Sequence, residues 1–211
     1  MEHPRRPTCP QCARPLRTCL CCWVTPVDNQ IEVLILQHPL EVGQAKGSVP
    51  LLHRSLAHSK LCTGERFDDA LLAGWLGDIG KGHGASVLLY PDDPDTVDNL
   101  AVPWPATLPR RLVVLDGTWR KSRKLLHLNP ALQRLPRLAL VQPPPSQYRI
   151  RKAHQPDQLS TLEATCHALA QLEQAPERYA PLLAAFGAFV DQFATSAASA
   201  SAEAGERSHE V

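Results

Sequence analysis

One stretch constrains this chain more than any other. Leu112-Val113-Val114-Leu115 is a short apolar run with adjacent valines, the pattern of a strand buried on both faces. Asp116 and Gly117 end it, and Thr118-Trp119-Arg120-Lys121-Ser122-Arg123-Lys124 follows, rich in helix formers. Asp116 is therefore expected at the carboxyl end of a strand, on the turn into a helix. Open α/β sheets gather their ligands at such places. A second reading stays open there: Asp116 or Thr118 caps the helix and Trp119 packs.

The remaining segments repeat this alternation. Ile31–Gln37 is a mostly apolar run suited to a buried parallel strand, and it ends in His38-Pro39-Leu40-Glu41. That turn carries a titratable pair, fit for catalysis, for phosphate contacts or for pinning a loop. Val49–Leu56 is expected to be helical, with Ser48 as N-cap and Pro50 in the first turn. Residues 66–79 hold a further helix and end in Gly80-Lys81-Gly82-His83-Gly84. This glycine cluster lacks the strand and the Lys-Ser/Thr of a phosphate loop, so it is expected to be a flexible connection. Ala85–Tyr90 is another strand, with Tyr90 and Pro91 at its end either lining a pocket or closing the core. Residues 91–111 form a long Pro- and Asp-rich loop. Leu135–Val141 is a last strand, leading through three prolines to Ser146–Lys152. There Arg149 and Arg151 share one side of an extended chain beside Tyr148, an arrangement suited to nucleic acid or to the domain's own carboxylates. Leu159–Ala164 opens a helix in which Ser160 and Glu163 have capping-box spacing, with Leu159, Leu162, Cys166 and Leu169 as its apolar stripe. A final helix is expected from about Glu177 to Phe193, its stripe (Leu182, Phe186, Phe189, Val190, Phe193) serving packing or a dimer face.

Strands alternating with helices define an α/β fold with a largely parallel sheet. Three regions are expected: a Cys-rich segment over 1–28, an α/β domain over 29–194, and a disordered tail over 195–211, rich in Ser, Ala and Glu. With 44 % hydrophobic and 20 % charged residues the chain has a globular composition. Its start lacks the apolar core of a secretory signal and no run is long enough for a membrane span, so a cytoplasmic location is expected. The net charge of +1 confines any nucleic-acid surface to a local patch. Arg120, Lys121, Arg123 and Lys124 supply one at a helix start, where cations oppose the macrodipole. Either an anionic partner or a solvated face accounts for them.

Seven cysteines, an odd number, argue against a disulfide framework. Five fall within residues 9–22, and Cys9, Cys12, Cys19 and Cys21 suit a tetrahedral structural metal, most simply Zn²⁺. The Cys-Leu-Cys half is tighter than a generic zinc ribbon. A metal-free, redox-active thiol cluster is the alternative. Cys22 would be a spare, and Cys62 and Cys166 small core residues.

Asp116, Thr118 and Trp119 form the signature Asp-x-Thr-Trp, in which this sequence resembles the DTW-domain family. These are tRNA-uridine aminocarboxypropyltransferases related to the knotted SPOUT RNA methyltransferases. Four further segments agree: the four-cysteine pattern, His38-Pro39-x-Glu41, Ser146-x-Tyr148-x-Ile150-Arg151 and Ser160-Thr161-x-Glu163-Ala164. Together they run from Cys9 to Ala164, and Ser48 stands where the family commonly has Thr. The resemblance implies a SPOUT-like sheet that admits a knot, S-adenosyl-L-methionine as cosubstrate, tRNA as partner, and no protein partner. It implies transfer of the 3-amino-3-carboxypropyl group to N3 of a uridine, with methylthioadenosine leaving. Asp116 is then the candidate base, or a carboxylate steadying the sulfonium. Tyr90, Pro91, Leu115, Thr118 and Trp119 would line the cosubstrate pocket. Ser160, Thr161 and Glu163, at a helix start, would hold the methionyl carboxylate. His38, Arg120, Lys121, Arg123, Lys124, Tyr148, Arg149 and Arg151 would meet the RNA. Two rival readings share these features: a SPOUT-type RNA methyltransferase, and a zinc-bearing RNA-binding protein without catalysis.

Overall fold

The computed structural model describes residues 7–77, 85–91, 104–105, 107–141, 144–146 and 159–206, with side chains of the last helix described to Gln192. Five parallel strands form one sheet: β1 (Glu32–Gln37), β2 (Ser59–Thr63), β3 (Ser86–Leu89), β4 (Arg111–Asp116) and β5 (Arg137–Leu138). Their order is β2-β1-β4-β3-β5. The helices are α1 (Val49–Ser55), α2 (Asp69–Leu76), α3 (Trp119–Leu128), α4 (Pro130–Gln133), α5 (Thr161–Glu173) and α6 (Pro176–Glu206).

The two central strands explain the layering. Val33 and Ile35 of β1, with Leu112 and Val114 of β4, face one core shared with α1, α5 and α6. Leu34 and Leu36, with Val113 and Leu115, face a second core shared with α2, α3 and α4. Side chains alternate between faces at every residue, so a strand covered on both sides must be apolar throughout. That is why these two runs are so plain in the sequence.

β1 hands the chain leftward to β2, whereas β4 sends it rightward to β5, so the carboxyl ends of these neighbours bound a topological switch point. Gln37 and Asp116 are register partners there. Gly117 follows because the first turn of α3 folds back closely: a Cβ at Gly117 would lie 2.9 Å from the Cβ of Lys121.

Several expectations need correction. β2 was not anticipated, since Ser59–Thr63 is half-exposed and shows no alternation. The strand expected over Leu135–Val141 is cut to Arg137–Leu138, because Pro136 offers no ladder donor and only β3 pairs with it. Ser48 does not cap α1; its hydroxyl instead accepts the Leu162 N–H of α5 at 3.3 Å. The last helix, expected to end near Phe193, has backbone that is helical to Glu206. Alanine-rich sequence keeps high helix propensity even with little to bury. The glycine cluster, most of the 91–111 loop and residues 147–158 lie outside the described residues, and with them part of the path from β5 to α5 on which the implied knot depends.

Candidate active site

Asp116 is 9 % exposed at the end of β4, and its carboxylate binds two donors from distant parts of the chain. Gln37 Nε2 donates to Oδ2 at 2.9 Å, and Thr161 Oγ1, the first residue of α5, donates to Oδ1 at 2.7 Å. The Asp116 carbonyl accepts the His38 N–H at 2.9 Å. Neither Asp116 nor Thr118 caps α3: no side-chain hydrogen bond closes that terminus. The two donors reach separate oxygens, so both ends of the buried carboxylate are held in place.

Beside this centre lies a cavity of about 370 Å³, within the usual range of small-molecule sites. Its apolar wall is built by Leu89, Val114, Leu115, Leu138, Leu140 and Leu159. Tyr90 and Trp119 also line it, stacked on each other with ring centroids 5.1 Å apart and planes at 18°. Tyr90 is buried, whereas Trp119 is 44 % exposed, and the Arg137 guanidinium lies 5.1 Å from the Tyr90 ring centre. Of the residues expected around the cosubstrate, Tyr90, Pro91, Leu115, Trp119 and Thr161 line this cavity. Thr118, Ser160 and Glu163 are not among its lining residues.

The last two are occupied elsewhere. Ser160 Oγ accepts the Glu163 N–H at 3.2 Å, and Glu163 Oε2 accepts the Ser160 N–H at 2.8 Å, a complete capping box. The Ser146 hydroxyl also donates to Glu163, at 2.9 Å. With Leu162 N–H taken by Ser48, the start of α5 is filled largely by the chain's own groups, and of the expected cradle Thr161 alone faces the cavity. A larger recess of about 490 Å³ opens at the amino ends of the strands. Its charged lining is engaged, Glu32 with Arg111 and Lys60 over Trp75, and it lies at the end of the strands opposite Asp116.

The four cysteine sulfurs of the N-terminal segment all lie within 4.8 Å of one another. Cys9–Cys21 and Cys12–Cys19 are each 3.8 Å apart. A tetrahedron with metal–sulfur bonds of about 2.3 Å has edges of about 3.8 Å, so the cluster can hold a metal. The thiols do not ionise independently. Burial works against the Cys12 thiolate, but backbone N–H groups of Leu20 and Arg14 outweigh it and bring Cys12 down to about 6. Burial and its sulfur neighbours push Cys21 up to about 12. A bound cation removes that conflict. The segment is also anchored: Leu20 is fully buried in the main core, Arg54 donates to the Gln11 carbonyl at 2.8 Å, and Trp23 Nε1 donates to Gln192 at 3.1 Å.

The sequence description "DTW domain" matches residues 6–194. The chain belongs to the DTW-domain family. A mouse relative named tRNA-uridine aminocarboxypropyltransferase 2 is 35 % identical over 185 residues, covering 82 % of this chain and 59 % of its own. A Drosophila melanogaster relative of the same name is 32 % identical over 181 residues, covering 82 % and 69 %. One from Macaca fascicularis is 30 % identical over 175 residues, covering 81 % and 58 %. The chain thus spans under two thirds of the mouse and macaque relatives' length. No solved structure matches it.

Within this DTW domain the basic face of α3 is partly spoken for. Lys121 pairs with Glu41 at 2.7 Å and Lys124 with Glu65 at 2.6 Å, while among the described residues Arg120 and Arg123 meet no carboxylate. His38, grouped with the RNA-contacting residues by the resemblance, is 2 % exposed. Its Nδ1 accepts the Leu40 N–H at 3.1 Å, so Nε2 carries the proton and donates to Glu65 at 2.7 Å. It pins the loop after β1 rather than facing a ligand. Glu65, absent from the sequence reading, thereby joins three elements, and Asn129 holds its loop by accepting the Phe67 N–H and donating to the Glu65 carbonyl, both at 2.9 Å. Tyr148, Arg149 and Arg151 lie outside the described residues. Among the described residues no helix is long and apolar enough to cross a membrane.

Proposed function

We propose that this DTW domain transfers the 3-amino-3-carboxypropyl group of S-adenosyl-L-methionine to N3 of a tRNA uridine. The observation that carries the reading is the DTW motif itself: its Asp and Trp stand at the switch point, beside a cavity floored by an aromatic stack, in a chain 35 % identical to a relative named for this activity. The cavity's apolar, aromatic lining suits an adenosine moiety, and the cosubstrate supplies an alkyl carbon activated by a sulfonium. In the reaction the N3–carbon bond forms, the carbon–sulfur bond breaks with its electrons going to sulfur, and neutral methylthioadenosine leaves. The N3 proton goes to Asp116, whose carboxylate is held in place by Gln37 and Thr161.

Arg120 and Arg123, on the exposed face of α3, are the cations best free to meet RNA phosphates, with Tyr148, Arg149 and Arg151 proposed beside them. Cys9, Cys12, Cys19 and Cys21 would hold Zn²⁺ as a structural ion, all four positions filled by thiolate and none left for substrate. Reduced clustered thiols of this kind suit the cytoplasm. The deciding experiment is mass spectrometry of tRNA nucleosides after incubation with the protein and S-adenosyl-L-methionine. Aminocarboxypropyl-uridine with methylthioadenosine is expected. A methylated uridine with S-adenosylhomocysteine would establish the methyltransferase instead, and unmodified tRNA bound tightly would establish a binding protein.

A further inference from the structure

The carboxylate assigned as proton acceptor is not itself part of the cavity wall. The cavity is lined by Leu115 and Trp119, on either side of the turn in sequence, and by Thr161 of α5, while Asp116 is not among its lining residues and has 9 % of its surface exposed. Thr161, which lines the cavity, and the Asp116 carboxylate, which is not among its lining, are joined by a 2.7 Å hydrogen bond in which the Thr161 hydroxyl is the donor. Thr161 is held in that place from three sides. Its carbonyl accepts the Thr165 hydroxyl at 2.6 Å, the next N–H is taken by Ser48, and the Ser160–Glu163 box fixes the turn before it. Gln37 fixes the far oxygen of Asp116.

From this geometry we propose that Thr161 is a catalytic residue, relaying the proton from the attacking base to Asp116. The proposal rests on the aminocarboxypropyl-transfer reading. As the N3–carbon bond forms and the carbon–sulfur bond breaks, the N3 proton passes to Thr161 Oγ1 and the hydroxyl's own proton passes to Asp116 Oδ1. The hydroxyl is unchanged at the end, the carboxylate is neutral, and methylthioadenosine leaves uncharged. A hydroxyl suits this step because it donates and accepts at one atom. It also explains why a threonine at a helix start, whose hydroxyl ordinarily serves a cap, is turned away from the cap that Ser160 supplies.

The test uses the full chain with tRNA and S-adenosyl-L-methionine, comparing Thr161→Val, Thr161→Ser and the double variant Thr161→Val/Asp116→Asn in single turnover. S-adenosylhomocysteine affinity and Tm are measured alongside. Thr161→Val keeps the shape and removes the relay, so kcat should fall about 10²- to 10⁴-fold, with KM for tRNA and S-adenosylhomocysteine affinity within about threefold of wild type. Thr161→Ser should restore kcat to within about tenfold. The double variant should be no slower than the slower single variant, because the two groups act as one unit. A Thr161→Val protein turning over at the wild-type rate overturns the relay. So does a loss seen mainly in S-adenosylhomocysteine affinity, which would make Thr161 a cosubstrate contact, or a double variant whose losses multiply. If Thr161→Val does not fold, the serine variant decides: the relay requires it to be active, and an inactive, folded serine variant overturns it. Failure of the parent reading looks different, since the wild-type protein itself would then yield no aminocarboxypropyl-uridine.

Discussion

Replacing Asp116 separates chemistry from stability, and the structure changes what each substitution should do. If Asp116 were a helix cap, Asn would substitute for it and Ala would cost about 1 kcal/mol. It does not cap α3; it accepts from Gln37 and Thr161. In Asp116→Asn the Thr161 hydroxyl still donates to the remaining carbonyl oxygen. The new NH₂ faces the Gln37 amide, which can turn over and present its own oxygen. Two charge-assisted bonds become neutral ones, while the cost of burying a charge disappears, so stability should stay within about 1 kcal/mol, or about 2–4 °C in Tm for a chain of this size. Asp116→Ala instead orphans the Gln37 amide, which is buried. Thr161 borders the cavity, where water can take the place of the carboxylate, so the loss is essentially that of one buried donor, about 1–3 kcal/mol and roughly 2–12 °C. Both variants lose the proposed proton acceptor, and turnover should fall about 10²- to 10⁴-fold in each. The assay is a single-turnover measurement with S-adenosylhomocysteine affinity and Tm on the same preparations. An Asp116→Asn protein with wild-type turnover refutes the assignment. The titratable pair His38 and Glu41 would then be poor substitutes, because His38 is bound at both nitrogens and Glu41 is paired with Lys121.

Other outcomes follow from the same geometry. Elemental analysis of reduced, freshly prepared protein should find close to one zinc per chain, and Cys9→Ser/Cys12→Ser should release it; because Leu20 sits in the main core between Cys19 and Cys21, Tm of the whole domain should fall as well. Metal-free protein with an unchanged Tm would refute this. Neutralising Arg120 and Arg123 should lower the slope of log K against log salt for tRNA by about 1–2, whereas neutralising Lys121 and Lys124, already paired with Glu41 and Glu65, should lower it less. Equal effects from the two pairs would mean that the ion pairs open on binding. The hydrogen bond from Lys124 holds the Glu65 carboxyl below its ordinary range. A lowered carboxyl pKa contributes stability that is present above the ordinary value and lost as pH falls through the lowered one. The tie between Glu65, His38 and Lys124 should therefore persist at mildly acidic pH and fail only on stronger acidification, a step in Tm against pH that Glu65→Gln should remove.

What the sequence made legible was whatever is decided within a few residues. The apolar runs of β1 and β4 are visible because both faces of those strands are covered, and the four thiols because they fall within thirteen residues of chain. The Ser160–Glu163 box is visible because a cap is an i, i+3 matter. β2 is not, since an edge strand with one partner carries no alternation to read. The surroundings of Asp116 are the harder case. Gln37 reaches it only because β1 and β4 pair in the register that sets Gln37 against Asp116, and Thr161 only because α5 packs over the end of β4. Neither contact has a local signature.

The hydroxyls show the same division of labour. Ser48, Thr118 and Ser160 all stand where a local rule writes a cap, yet Ser160 alone makes one. Ser48 is recruited across the core to the Leu162 N–H, and Thr161, one residue past the working cap, is turned to Asp116. These two departures share a consequence. Ser48 takes the Leu162 N–H and Ser160 takes the Glu163 N–H, so two of the donors at the start of α5 are met from within the chain, and Thr161 is the polar residue of that start which lines the cavity. A start of α5 occupied in this way holds one hydroxyl against one carboxylate, that of Thr161 against that of Asp116.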